Sequence, residues 1–196
     1  MNLPNKLTCS RFVLTVAFLA AMFIEFPLNE TLALALFLLA GITDYFDGQI
    51  ARRGGLVTNF GILMDPLADK ILVCSAFIAF VGRDLIPAWM AVLIVARELA
   101  ITGLRLLAAS KNVVLAAEGY GKHKTLWQMV AIVSILILAS YFEWPETLRL
   151  AFTVKVFGKP WILWFTELSK WLAVAFTAFS GVLYLWRNRQ LYLQDL

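Results

Sequence analysis

The chain of 196 residues is 61% hydrophobic and only 15% charged, with a mean hydropathy of +0.79. This composition excludes an ordinary soluble domain and indicates an integral membrane protein. The net charge of +4 does not indicate nucleic-acid binding, because Lys and Arg lie at the ends of apolar segments, as the positive-inside rule predicts.

Six apolar stretches bounded by proline, glycine and charged residues predict six transmembrane helices in one membrane domain covering residues 1–196. They lie at about residues 8–26, 31–53, 59–81, 87–109, 121–142 and 161–186. We expect the first to be an uncleaved helix, because Glu25-Phe26-Pro27 follows it instead of a signal-peptide cleavage site. Residues 144–160 form the longest connection and either lie along the outer interface or fold partly back into the membrane.

The distribution of basic residues predicts the orientation of the chain. With the amino terminus in the cytoplasm, twelve of the seventeen Lys and Arg residues fall toward the cytoplasmic side. The five that fall outward are Arg83, Arg149, Lys155, Lys159 and Lys170. The positive-inside rule therefore places both termini in the cytoplasm. Cys9 and Cys74 are far apart and the chain has one His, so neither a disulfide framework nor a zinc site is predicted.

Four aspartates interrupt the second and third predicted helices: Asp44, Asp47, Asp65 and Asp69. Charges inside a membrane cost several kcal/mol each, on the order of 3, so they need partners or a function. Spacings of three and four residues place each pair on one helix face. At about 1.5 Å per residue, all four lie roughly 7–15 Å inward from the cytoplasmic helix ends. The short connection between these helices makes them antiparallel neighbours, so we expect one cavity that opens to the cytoplasm.

Four clustered carboxylates repel one another unless cations neutralise them. Hard oxygen ligands without sulfur favour Mg²⁺ or Mn²⁺, and four negative charges match two divalent ions, which suit an in-line displacement at phosphorus. One alternative is structural pairing with Arg52, Arg97 or Arg105. Another is a divalent-cation transporter, in which polar residues are expected to continue toward the outer face. The outer halves of the second and third helices are instead almost wholly apolar.

A second candidate group is basic. Arg97 and Arg105 share one stripe of the fourth helix, and Lys122 and Lys124 begin the fifth. Arg suits bidentate contact with phosphate and Lys supplies a point charge, so this group predicts an anionic substrate beside the aspartates. Positive-inside anchoring explains the two lysines equally well. Glu98 is expected to pair with another helix, because it lies about 100° around the helix from Arg97.

The pattern Asp44-x-x-Asp47-Gly48-x-x-Ala51-Arg52, eight residues, Gly61-x-x-x-Asp65-x-x-x-Asp69 resembles the signature of the CDP-alcohol phosphotransferases at every fixed position. The resemblance implies an all-α, homodimeric membrane enzyme of about six transmembrane helices that uses a CDP-linked lipid and two divalent cations. It implies that Asp44, Asp47 and Asp65 bind metal, and that Asp69 both binds metal and acts as the general base. The residues it implies for CDP binding are Asp44, Asp47, Gly48, Ala51, Arg52 and Gly61.

Four further segments resemble bacterial members of this family that use a glycerol phosphate acceptor: residues 2–11, 64–70, 97–105 and 121–125. This resemblance implies transfer of the phosphatidyl group from CDP-diacylglycerol to sn-glycerol 3-phosphate, with release of CMP, at the cytoplasmic face of the bacterial plasma membrane. The acceptor phosphate would be held by Arg97, Arg105 and Lys122, with Arg11 or Lys124. Inositol phosphate and serine remain alternative acceptors, and the basic stripe favours a phosphorylated one.

Overall fold

The computed structural model describes the backbone of residues 3–54, 59–111, 113 and 120–193, and the side chains of residues 9–43, 64, 67–68, 70–111, 113 and 123–192. These residues are mostly helical. The long helices are α1 (Leu3–Phe23), α2 (Asn29–Gly54), α3 (Asn59–Gly82), α4 (Ala88–Ser110), α5 (Tyr120–Ser140) and α7 (Trp161–Arg187). The short elements are a 3-10 turn (Tyr141–Glu143), α6 (Glu146–Thr153), β1 (Lys155–Val156), β2 (Lys159–Pro160) and α8 (Arg189–Leu193).

A helix occupies each of the six segments that the sequence predicts to be helical. By length and composition, two stretches of the described chain are able to cross a membrane: His123–Glu143 and Trp161–Arg187. Shorter apolar helical stretches are found at Cys9–Phe23, Asn29–Thr43 and Lys70–Gly82. The helical architecture is therefore confirmed, and the number of spans stays a prediction.

The core is built where α1, α2, α3 and α5 face one another. Phe18 of α1 and Phe37 of α2 are fully buried, with ring centroids 5.8 Å apart. Phe77 and Phe80 of α3 and Ile132 of α5 belong to the same cluster, which also includes residues of α4 and α7. Because these side chains interdigitate from four helices, they fix how the helices lie against one another. The two helices that carry the predicted aspartates are thereby held in the same bundle.

One end of the bundle is closed by polar contacts around the start of α2. The Glu143 carboxylate accepts hydrogen bonds from the backbone N–H of Glu30 (3.3 Å) and Thr31 (2.8 Å), so it caps that helix from a distant part of the chain. Arg83, at the end of α3, forms an ion pair with Glu30. The indole N–H of Trp144 donates to the Thr31 hydroxyl at 3.0 Å. The predicted site lies toward the opposite end.

The connection between α5 and α7 is a short helix followed by a β-hairpin. Pro145 precedes α6, and Lys155 pairs with Pro160 across the hairpin. Phe157 and Gly158 form its turn with φ of 49° and 80°, a conformation that favours glycine at the second position. The indole N–H of Trp164 donates to the Val156 carbonyl at 3.1 Å and ties the hairpin to α7. The sequence left two placements open for this connection, along the outer interface or folded partly back into the membrane, and its position relative to the membrane stays a prediction.

Candidate active site

The predicted aspartates lie on two consecutive helices. Asp44 and Asp47 belong to the carboxyl-terminal half of α2, and Asp65 and Asp69 to the first half of α3. Their side chains fall outside the described residues, as do those of Gly48, Ala51, Arg52, Gly61 and Lys122. Within the described part of the chain, no group of three or more His, Cys, Asp or Glu could hold a metal ion. The metal and CDP assignments therefore stay predictions.

The residue that follows Asp69 connects α3 to the helix that carries the basic stripe. Lys70 donates a hydrogen bond to the Thr102 hydroxyl of α4. That hydroxyl in turn donates to the Glu98 carbonyl oxygen at 2.6 Å. The segment of α3 that contains Asp69 is thereby held against the middle of α4. This contact brings the backbone of α3 near the predicted acidic group next to α4, which carries the predicted basic residues Arg97 and Arg105.

Arg97 is partly buried and faces two helices. Its Nη1 lies 3.4 Å from the Glu98 Oε1, and its Nη2 donates to the Ser180 hydroxyl of α7 at 3.4 Å. The aliphatic part of the side chain passes directly over Gly181. The guanidinium is therefore positioned by groups on its own helix and on α7, in the interior of the bundle.

Lys124 and Glu98 form a buried ion pair between α5 and α4. The Lys124 Nζ donates to the Glu98 Oε1, and the two residues are 6% and 5% exposed. The expectation that Glu98 pairs with another helix is confirmed. Lys124, which the sequence offered both as a phosphate ligand and as a membrane anchor, is engaged inside the bundle instead of lying at its surface.

Arg105 lies two turns beyond Arg97 on the same helix, as the spacing predicts. It is exposed, its Nε donates to the Tyr184 hydroxyl at 3.4 Å, and its guanidinium carbon lies 5.8 Å from the centre of the Tyr184 ring. Arg11, by contrast, lies on α1 and is 1% exposed. Of the predicted basic residues, Arg97 and Arg105 lie on α4 and contact α7, Lys124 lies on α5 and contacts α4, and Arg11 lies on α1.

Sequence reasoning missed the contribution of α7. Its buried face consists mainly of small or polar residues at helical spacing: Thr166, Ser169, Ala173, Thr177, Ser180 and Gly181. The Gln128 amide of α5 donates to the Thr177 hydroxyl at 3.0 Å, and the hydroxyls of Ser134 and Ser169 are 2.8 Å apart. Small residues at an interface between membrane helices allow close approach and interhelical hydrogen bonds. This periodic pattern is the signal that could have identified α7 as a helix packed closely against α5.

Comparison with known proteins identifies relatives of the chain. The family model for CDP-alcohol phosphatidyltransferase matches residues 1–179. The chain is 40% identical, over 95% of both chains, to the CDP-diacylglycerol–glycerol-3-phosphate 3-phosphatidyltransferase of Bacillus subtilis. It is 42% identical to the protein of the same name from Rickettsia felis, over 71% of this chain and 76% of the relative. It is 44% identical to a probable phosphatidylglycerophosphate synthase of Mycobacterium tuberculosis, over 67% of this chain and 64% of the relative.

Proposed function

Because the chain belongs to the CDP-alcohol phosphatidyltransferase family, we propose that it transfers the phosphatidyl group from CDP-diacylglycerol to sn-glycerol 3-phosphate. The products are phosphatidylglycerophosphate and CMP. The observation that carries this proposal is the likeness over 95% of both chains to a relative named for that reaction. A separate phosphorylated acceptor also agrees with the basic side chains that the structure gathers between α4, α5 and α7.

Asp44, Asp47, Asp65 and Asp69 would hold two divalent cations, Mg²⁺ or Mn²⁺. The donor set fits, because four carboxylates on two neighbouring helices offer only the oxygen ligands that these ions prefer. When bound, the ions supply positive charge that stabilises the phosphoryl oxygens during displacement. Gly48, Ala51, Arg52 and Gly61 would line the CDP site beside Asp44 and Asp47.

Asp69 would act as the general base. It accepts the proton of the acceptor's primary hydroxyl while that oxygen attacks the phosphorus attached to diacylglycerol. The new phosphorus–oxygen bond forms as the anhydride bond to CMP breaks, and CMP leaves with the bonding electrons. The Lys70–Thr102 contact supports this geometry, because it holds the backbone beside Asp69 against α4, where the acceptor would bind.

The phosphate of the acceptor would be held by the basic group. Arg97 and Arg105 come from α4 and Lys122 from the start of α5, with Lys124 and Arg11 as further contributors. Arg97 suits this role because its guanidinium is oriented by Glu98 and Ser180 before any substrate arrives. A preorganised guanidinium loses less freedom when it binds phosphate.

In the bacterial plasma membrane, the chain would form six spans with both termini and the active site on the cytoplasmic side. The 3-10 turn, α6 and the hairpin would then lie at the outer interface, where their exposed apolar side chains meet lipid. Two copies would form a homodimer. The acyl chains of the lipid substrate would stay in the bilayer and enter through an opening between helices.

The deciding experiment incubates the purified protein with CDP-diacylglycerol, Mg²⁺ or Mn²⁺, and glycerol 3-phosphate, inositol phosphate or serine in separate reactions. CMP and the lipid product are measured in each. We expect CMP and phosphatidylglycerophosphate with glycerol 3-phosphate only, and no turnover after chelation until a divalent cation is restored. Absence of CMP with every acceptor would refute the enzymatic function, and turnover with inositol phosphate alone would refute the proposed acceptor.

A further inference from the structure

Glu98 is the single acidic residue of α4 and receives two cations at the same carboxylate oxygen. Lys124 reaches it from α5, and Arg97 lies 3.4 Å away on the same helix. Glu98 and Lys124 are both buried, and Arg97 is partly so. Glu98 therefore orients two cations from two helices through one carboxylate oxygen.

A purely structural tie between α4 and α5 explains these charges poorly. Burying an ion pair costs desolvation energy that the attraction between the charges often fails to repay, so apolar side chains would join two helices at least as well. The α5–α7 interface, by comparison, uses neutral contacts such as the hydrogen bond between Gln128 and Thr177. Charged groups retained inside a membrane bundle indicate a binding function for those charges.

The turn of α4 that contains Glu98 is also fixed to the other parts of the site. Thr102, one turn later, donates to the Glu98 carbonyl and accepts from Lys70 of α3. Arg97 is held on its far side by Ser180 of α7. Contacts from α3, α5 and α7 therefore converge on a single turn of α4. The contact from α3 is made by Lys70, which follows the predicted base Asp69 in the sequence.

From this convergence we infer that Glu98 is a positioning residue for the acceptor phosphate. It aims the Arg97 guanidinium and the Lys124 ammonium at one point, while the Thr102–Lys70 contact sets the distance from that point to the segment containing Asp69. Glu98 does not touch the acceptor, because a carboxylate and a phosphate repel each other. This role rests on the proposed function, since it takes the phosphate of the acceptor as the anion that Arg97 and Lys124 would bind.

The test compares wild-type protein with Glu98→Gln and Glu98→Asp in steady-state assays that vary each substrate in turn. Glu98→Gln keeps the shape and removes the charge that orders both cations, so the KM for glycerol 3-phosphate should rise about tenfold. The KM for CDP-diacylglycerol should change by less than about twofold. Glu98→Asp keeps the charge, so its KM for glycerol 3-phosphate should lie between those of the other two proteins.

Thr177→Val is the matched control, because it removes a buried hydrogen bond between α5 and α7 without touching the charged group. It should lower the melting temperature and leave both KM values unchanged. If Glu98→Gln lowers only the melting temperature, or raises both KM values alike, the positioning role is wrong. If wild-type protein uses a different phosphorylated acceptor, only the proposed acceptor is wrong. The effect of Glu98→Gln on the KM for that compound then tests the role of Glu98.

Discussion

Gly181 of α7 leaves the space through which the Arg97 side chain passes. A Cβ atom at position 181 would lie 2.8 Å from the Arg97 Cγ, closer than nonbonded carbon atoms approach. The Cγ is near the base of the side chain and cannot move away without displacing the guanidinium. The hydrogen bond from Arg97 to Ser180, the preceding residue of α7, depends on the same close approach.

Replacing Gly181 by alanine should therefore impair acceptor binding. The extra methyl group overpacks the contact, at a cost of about 1–3 kcal/mol in stability. Displacement of Arg97 should raise the KM for glycerol 3-phosphate about fivefold, with a smaller effect on the KM for CDP-diacylglycerol. Steady-state kinetics and thermal unfolding in detergent measure the two effects.

Gly103→Ala provides the control for this substitution. Gly103 is an exposed glycine of α4, and no atom lies within 4 Å of the position its Cβ would take. Alanine is favoured over glycine inside a helix by about 0.5–1 kcal/mol, so this variant should be slightly more stable and kinetically unchanged. A Gly181→Ala protein that also keeps its wild-type KM would contradict the role of the close approach.

Lys124→Met should destabilise the bundle, because it removes the ammonium that pairs with the buried Glu98 carboxylate and leaves the Arg97 guanidinium at 3.4 Å. Removing one member of a buried ion pair costs about 3 kcal/mol. Combining it with Glu98→Gln should recover much of that loss, since the buried Glu98 charge is removed together with that of its Lys124 partner. Unfolding of the two single variants and the double variant gives the coupling free energy. Strictly additive effects would argue against a direct interaction between the two side chains.

Asp69→Asn should reduce kcat by at least about 100-fold, because the amide cannot accept the proton of the acceptor hydroxyl. CMP release measures turnover, and thermal unfolding without added metal should show that the fold is retained. Asp84→Asn is the control, since Asp84 is an exposed residue of the turn after α3 and asparagine tolerates its φ of 55°. Near-normal turnover of Asp69→Asn would remove this residue as the base.

The positions of the helices could be predicted from the sequence, because apolar length and flanking charge are local properties of the chain. The helical spacing also placed Arg97 and Arg105 correctly on α4. The partner of Glu98 could be anticipated only as belonging to another helix, since its identity depends on how α5 is rotated in the bundle. The contact of Arg97 with Gly181 was missed for the same reason: it requires two helices that are far apart in sequence to approach closely.

The connection between α5 and α7 shows a second feature that could not be predicted from the sequence. Strands of two residues are too short for alternation to reveal them, so neither β1 nor β2 could be predicted. The four aspartates were found because each charge stands out within an apolar segment. Their placement on α2 and α3 agrees with the prediction, and the chelation and Asp69→Asn experiments test their proposed roles.

The tip of the hairpin makes a final prediction about orientation. Phe157 is 93% exposed and Lys155 and Lys159 flank it, a combination that suits insertion of the ring between lipid headgroups. If this face is external, Lys155→Cys in a Cys9→Ser/Cys74→Ser background should react with a membrane-impermeant thiol reagent in intact cells. Ser110→Cys, an exposed position at the end of α4, should react only after permeabilisation. The reverse pattern would place the hairpin, with the start of α2, on the cytoplasmic side and would overturn the proposed topology.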